Sequence, residues 1–247
     1  MAPGRRVLRI VLEYDGAGFS GWAAQPGLRT VEGVLRDALE TLLRGPVELS
    51  VAGRTDAGVH ASGQVLSVAT AGDLAPERVL RGLAGLLPSD VAARAVEEAP
   101  PGFDARRDAR ARAYEYRVLC GPPSPLRRDR VLHHPARLDA EAMDRAAALV
   151  VGRHDFRAFT PTRTEHVFFH RTVTRCAWRR RGDELVLEIE ADAFLRHMVR
   201  VLAGTMLLVG RGAWAPERLG ALLEGAPRGA AGPTAPAHPL TLVAVRY

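Results

Sequence analysis

V-E-L-S-V-A-G-R-T-D-A-G-V-H, residues 47–60, is the stretch that decides which fold this sequence specifies. Val47, Leu49 and Val51 alternate with polar residues, the period of a half-buried strand. The strand runs into a loop in which Gly53 and Gly58 bracket Arg54, Thr55 and Asp56. The glycine spacing is that of a phosphate loop, but Val59-His60 stands where Lys-Ser/Thr is required, so a Walker loop is excluded. What remains is a tight strand exit that presents a carboxyl group. On spacing alone, Asp56 reads as an aspartate holding its own turn.

Working outward, residues 7–14 alternate as a strand upstream of this loop. Thr30 is placed to cap a helix with Val31, Val34, Leu35, Ala38, Leu39, Leu42 and Leu43 on one face, stopped by Gly45-Pro46. Downstream, residues 64–69 read as a strand, and Pro76 opens a helix that ends before Pro88. The second half repeats this order loosely. Tyr114, Tyr116 and Val118 alternate on a strand, and Asp139 caps a helix running to Val151. Strands are expected at 172–178 and 184–190, then a helix over 193–209 capped by Asp192 and stopped by Gly210. A-P-E-R recurs at 75–78 and 215–218, each time opening a short Leu-rich helix, and residues 240–247 read as a closing strand. This order predicts two related α/β lobes. Of the Pro/Gly-rich connections at 99–102, 121–125 and 226–239, the first is the expected lobe boundary.

With 247 residues, 47% of them hydrophobic, the chain can bury a sizeable core. It has no apolar run near the ~20 residues needed to cross a membrane. The basic start Met1-Ala2-Pro3-Gly4-Arg5-Arg6 leads into a strand-like run and not a signal-peptide core, so a soluble, unexported protein is expected. Cys120 and Cys176 are too few for a disulfide framework or a thiolate zinc site, and fit a cytoplasmic location. No H-E-x-x-H or similar ligand spacing occurs, so no metal site is expected.

The net charge is +6 with a pI near 10.2, and all 34 basic residues are arginine. Such a bias reflects coding composition as readily as function, so local clusters carry more weight. Arg106, Arg107, Arg110, Arg112 and Arg117 crowd the approach to Tyr114-Glu115-Tyr116. Guanidinium groups hold phosphates while rings stack on unpaired bases, which suits RNA. Arg127-Arg128-Asp129-Arg130 and Trp178-Arg179-Arg180-Arg181 are smaller clusters; taken singly, each reads as a solvated face. Residues 16–21, G-A-G-F-S-G, match a dinucleotide fingerprint and raise a nucleotide-dependent oxidoreductase as an alternative. No helix starts before Val31 to receive the pyrophosphate, so a glycine-rich hairpin turn is the better reading. Arg196, His197 and Arg200 lie within one turn of the helix predicted after Asp192.

Several segments, in order, resemble the TruA family of tRNA pseudouridine synthases. They are Y-D-G-A-G-F-S-G-W at 14–22, T-V-E-G-V-L-R-D-A-L at 30–39 and A-G-R-T-D-A-G-V-H-A at 52–61. F-D-A-R-R-D-A-R-A-R-A-Y-E-Y at 103–116, G-R-H-D-F at 152–156 and A-F-L-R-H-M-V-R at 193–200 complete the set. The resemblance spans nearly the whole chain and replaces the turn-holding reading of Asp56. It implies an α+β fold of two lobes, 1–104 and 105–247, sharing a continuous, mostly antiparallel sheet with helices on one face and the active-site cleft between lobes. It further implies Asp56 as catalytic aspartate, Tyr114 as base-stacking residue and Arg200 as partner of the aspartate. Arg54 is implied to help extract the nucleotide and Leu240 to line the uracil pocket. With the cluster Arg106, Arg107 and Arg110 as RNA contacts, the expected substrate is uridine 38, 39 or 40 of the tRNA anticodon arm. A homodimer without cofactor or metal is implied as well.

The chemistry suits these residue types. A carboxylate attacks as nucleophile, and a neighbouring guanidinium favours its charged form. A uracil stacked in a helix is out of reach and must be flipped. Three places depart from the family pattern. Pro239-Leu240-Thr241-Leu242 replaces the usual Gly-Leu-aromatic-Leu, Ala23 replaces a glutamine after Trp22, and residues 160–170 follow a different course. The first and last of these motivate the alternative of a tRNA-binding protein of the same fold that has lost catalysis.

Overall fold

The structure, a computed structural model, describes residues 6–164 and 166–247. It divides into two compact units. The first runs through Arg110 and takes back Leu242–Tyr247, and the second is Ala111–Thr241. The fold class is α+β, and the strand pairs are mixed but mostly antiparallel.

In the first unit, β1 (Arg6–Tyr14) lies between β3 (His60–Thr70) and β4 (Val91–Ala99), antiparallel to both. The order there is β4-β1-β3-β10, where β10 is Leu240–Arg246, and β2 (Glu48–Val51) pairs with β3. β1 buries Val7, Leu8, Ile10, Leu12 and Tyr14, which forces pairing on both sides. Thr30 caps α1 (Val31–Leu43), its hydroxyl accepting the Gly33 N–H at 3.3 Å. Val31, Leu35, Ala38, Leu39 and Leu43 form its buried stripe, and Arg44 ends it in the left-handed region at φ 53°. α2 (Pro76–Leu86) opens on its proline and packs on α1 and β4. β4 carries no readable period because only Val91 and Ala99 are buried along it. A small cluster of Ala52, Val65 and Ala105 packs against Phe103, Val245 and Tyr247, so the last residues close the first unit's core.

The second unit has the order β5-β9-β8-β7. Its strands are β5 (Ala111–Cys120), β7 (Gly152–Asp155), β8 (His170–Arg181) and β9 (Glu184–Ala191). β6 (Leu132–His134) runs parallel to β5 and makes the sheet mixed. Tyr114, Tyr116 and Val118 share one buried face, opposite Ile189, Leu187 and Leu185 of β9. α4 (Met198–Gly210) is buried nearly all round, as its V-L-A-G-T-M-L-L-V run requires. α3 (Ala140–Ala148) packs on β8 and α4, and α5 (Glu217–Leu222) packs on α3. The Trp178 indole N–H donates to Met206 Sδ at 3.1 Å.

Two helix limits differ from expectation. α3 ends at Ala148, three residues short of Val151. α4 starts at Met198, with His197 before it at φ 62°, and Asp192 does not cap it. The Asp192 carboxylate instead accepts the N–H of Thr172 (3.1 Å) and of Ala193 (2.6 Å), clipping β8 to the end of β9.

Gly204 lets the chain at 232–235 lie directly on α4. There the Gly232 N–H donates to Thr205 Oγ1 at 3.0 Å and the Ala235 N–H to the Arg200 carbonyl at 3.1 Å. A Cβ at Gly204 would overlap the Pro233 carbonyl oxygen. Helix propensity favours alanine by ~1 kcal/mol, but overlap with backbone outweighs it. Gly204→Ala is expected to cost about 2 kcal/mol net, lowering the melting temperature by ~4–8 °C in a thermal unfolding scan.

Candidate active site

Asp56 sits half-buried on the loop between β2 and β3, and four backbone contacts fix that loop. The Ala52 N–H donates to the Val65 carbonyl (2.9 Å), and the Trp22 N–H to the Thr55 carbonyl (3.0 Å). The Val59 N–H closes the turn onto the Asp56 carbonyl at 3.1 Å, while Gly58 takes φ 79°. Gln64 Nε2 donates to the Gly53 carbonyl at 2.7 Å. From beneath, Tyr14 Oη lies 2.8 Å from Thr55 Oγ1 and accepts from Gln64 Nε2 at 3.3 Å. Burial pushes the Tyr14 phenol up to about 12, against the opposing hydrogen bonds to Thr55 and Gln64. Gly16 completes the floor: its N–H donates to the fully buried His60 Nδ1 at 3.0 Å, and a Cβ there would overlap the Val59 carbonyl. Arg54, beside Asp56, is exposed.

The second unit holds Tyr114, Arg200 and Leu240. Tyr114, 8% exposed, meets the Phe194 ring edge-on at 5.1 Å. Arg200 lies in the first turn of α4, and its Nε donates to the Ala235 carbonyl at 2.9 Å. Its charge is felt at Tyr116, which shares a strand face with Tyr114. Leu240 is buried at the start of β10. Pro239 before it serves as an acceptor, taking the Arg117 N–H at 3.2 Å, so the N–H that proline lacks is not needed for that contact.

A family model described as tRNA pseudouridine synthase matches residues 10–106 and 146–247. A tRNA pseudouridine synthase A from Frankia casuarinae is 47% identical over 251 residues, covering 100% of this chain and 91% of its own. One from Chloroflexus aurantiacus is 44% identical over 250 residues, covering 98% and 89%. A third, from Pelobacter propionicus, is 40% identical over 243 residues, covering 98% and 100%. The chain belongs to the tRNA pseudouridine synthase A family.

As a member of this isomerase family, the chain carries the GRTDAG loop on a support that sequence reading missed. Tyr14, Thr55, Gln64 and His60 are buried polar groups joined to one another or to loop backbone. The one available signal was Gln64, a polar residue heading the apolar run V-L-S-V-A. The 16–21 glycines belong to this floor, a short 3-10 turn over Gly16–Gly18 with no helix until Val31.

Of the arginines expected to meet RNA, Arg106 and Arg110 are exposed. The Arg107 side chain holds Asp108 at 3.0 Å and the Gly102 carbonyl at 2.6 Å, so it is committed to its turn. Arg112 is buried on the Asp192 carbonyl at 2.7 Å. Arg117 pairs with Glu115 (2.7 Å) and Glu184 (3.4 Å), and Arg127 with Asp183 (2.6 Å). Arg181 pairs with Glu115 at 2.9 Å and also with Glu188, and Arg179 with Asp144 at 3.2 Å. A hollow of about 520 Å³ lined by Cys120, Arg137, Leu138, Arg180 and Asp183 contains none of the expected site residues. Burial pushes both thiols up, Cys120 and Cys176 alike, which disfavours either as a thiolate nucleophile. Among the described residues, no helix is long and apolar enough to cross a membrane.

Because the folded Tyr14 phenol stays neutral to about 12 while an unfolded one ionises near 10, its contribution to stability is complete below pH 10. It is lost as the pH rises from 10 to 12, and amounts to ~2–3 kcal/mol. Tyr14→Phe is expected to flatten the fall in stability over that window in urea unfolding. At pH 7 the same variant is expected to lose about 1–3 kcal/mol, because Thr55 and Gln64 lose a buried partner.

Proposed function

We propose that this chain converts uridine to pseudouridine at positions 38, 39 and 40 of the tRNA anticodon arm, with Asp56 as the nucleophile. The observation that carries this reading is the 53–60 loop, whose backbone is pinned by Trp22, Gln64 and its own turn while Asp56 sits on it half-buried. Family membership supports tRNA as the substrate. Breaking N1–C1′ and forming C5–C1′ moves one proton from C5 to N1. Substrate and product are isomers, so no oxidant or co-substrate enters the balance.

In this reading Asp56 holds the ribose or the base covalently while the other fragment turns, by attack at C1′ or at C6. Arg200 is the counter-charge that keeps the carboxylate ionised. Tyr114 stacks on the freed base, and its hydroxyl is the group that takes the C5 proton. Arg54, exposed beside Asp56, fills the gap left by the flipped nucleotide. Leu240 forms the apolar wall of the uracil pocket, and Arg106 and Arg110 contact phosphate with Arg107 holding the turn between them. The chain acts as a cytoplasmic homodimer without a cofactor.

The test is incubation with unmodified tRNA transcript, followed by carbodiimide labelling and primer extension. New stops at 38–40 are expected. Asp56→Asn is expected to lower turnover by roughly 10³-fold or more while tRNA affinity stays within about threefold. Undiminished turnover by that variant removes Asp56 as nucleophile. Wild-type protein that binds tRNA and makes no pseudouridine replaces this reading with that of a binding protein.

A further inference from the structure

Residues 226–237, A-P-R-G-A-A-G-P-T-A-P-A, have little with which to hold themselves in place. Glycine and alanine bring no long side chain to pack, and each proline removes a backbone donor. The two polar side chains of this stretch, Arg228 and Thr234, are joined to each other. Arg228 Nη2 donates to Thr234 Oγ1 at 3.1 Å, and Nη1 donates to the Gly232 carbonyl at 3.0 Å. This half-buried arginine is thus turned onto its own segment and closes residues 228–234 into a ring. The ring is fastened to α4. The Gly232 N–H donates to Thr205 Oγ1 at 3.0 Å, and that hydroxyl donates to the Val201 carbonyl at 2.7 Å. The next residue after the ring is Ala235, 4% exposed, and it bonds Arg200 twice. Its N–H donates to the Arg200 carbonyl at 3.1 Å, and its own carbonyl accepts from Arg200 Nε at 2.9 Å. A guanidinium is planar with its Nε–H in the plane, so a bond from Nε to a fixed carbonyl sets the plane in which both Nη groups lie.

We infer that Arg228 is a positioning residue for Arg200: it stiffens the 228–234 strap and so fixes the Ala235 carbonyl that orients the Arg200 guanidinium. This rests on the proposed role of Arg200 as counter-charge to Asp56. Arg228 acts through the strap and touches neither the base nor the ribose. Without it the carbonyl shifts with a segment that has few other internal bonds, and the plane of the Arg200 charge shifts with it. Holding that plane before charge develops is a preorganisation that lowers the barrier without strengthening substrate binding.

The experiment compares wild type with Arg228→Gln, Arg228→Lys and Thr234→Val, reading KM for tRNA and single-turnover pseudouridine formation at a temperature where circular dichroism shows each protein folded. Arg228→Gln is expected to slow turnover about 10- to 100-fold with KM within about twofold. Arg228→Lys is expected to be nearly as slow, because an ammonium keeps the charge but lacks the fork that reaches both acceptors. Thr234→Val removes one of the two contacts and keeps the side-chain shape, so it reads the inference even where Arg228→Gln does not fold; turnover is expected to fall about threefold or more. In a double-mutant cycle, Arg228→Gln/Arg200→Lys is expected to be no slower than Arg200→Lys alone, since Arg228 works through Arg200. Folded variants with wild-type turnover overturn the inference and leave the strap a purely structural element. A raised KM with turnover unchanged, and restored by Arg228→Lys, also overturns it and makes Arg228 a phosphate contact. Additive effects in the cycle overturn the route through Arg200. Wild-type protein inactive on tRNA would instead remove the proposed function itself, an outcome distinct from active wild type beside unaffected variants.

Discussion

The hydrogen-bonded run from the Gly53 carbonyl through Gln64 Nε2 and Tyr14 Oη to Thr55 Oγ1 is the constraint on which the aspartate loop depends. All three side chains are buried, so none can turn to water if a neighbour moves. Losing one partner strands the others in a low-dielectric interior, where an unpaired polar group costs more than the bond itself contributes. The loop is therefore held in one arrangement, and Asp56 sits on it half-buried. In the proposed role of Asp56 as nucleophile, such a fixed loop matters, since reaction rate falls steeply when an attacking atom is displaced by even an ångström.

The same support explains a run of glycines that sequence patterning assigns to nucleotide binding only weakly. Gly16 brings β1's exit against the Val59 carbonyl at a distance that no side chain allows, and its N–H is spent on His60. Gly21, at φ 95°, lies just under Thr55. Here the glycines let one backbone approach another, and no phosphate is required to account for them. Trp22 then donates from its backbone to the same loop, so residues 14–22 and 52–60 are one piece of structure made from two stretches of sequence.

Charge is arranged more selectively than the excess of arginine suggests. Much of the basic sequence in the second unit is paired with Glu115, Glu184, Glu188, Asp144 and Asp183 across β5, β8 and β9. Exposed pairs of this kind add little stability, but they neutralise the field that a polyanion would feel. In the first unit Arg54 and Arg110 form no ion pair among the described residues, so the positive potential there is not cancelled locally. Clusters counted along a sequence overstate the RNA-facing surface, because carboxylates from neighbouring strands are invisible in the count.

What could be read from the residues followed one rule. α1 and β5 were legible because burial imposes a period on each of them, β3 because it is a short, continuously buried run, and the Asp56 loop because its residues match a family. β4 was not, since its exposed positions carry no period to detect. Asp192 misled for a sharper reason. An aspartate before an apolar run has the same local sequence whether it caps a helix or accepts an amide from the next strand, and here Thr172, twenty residues upstream, takes it. Removing the cap moves the helix start to Met198 and leaves residues 193–197 as an irregular segment. That segment places Phe194 against Tyr114 and sets Arg200 in a first turn instead of a helix interior. Asp192 is thus spent on Thr172 and Ala193 instead of on the helix that carries Arg200, and nothing within the local sequence distinguishes that use from a cap.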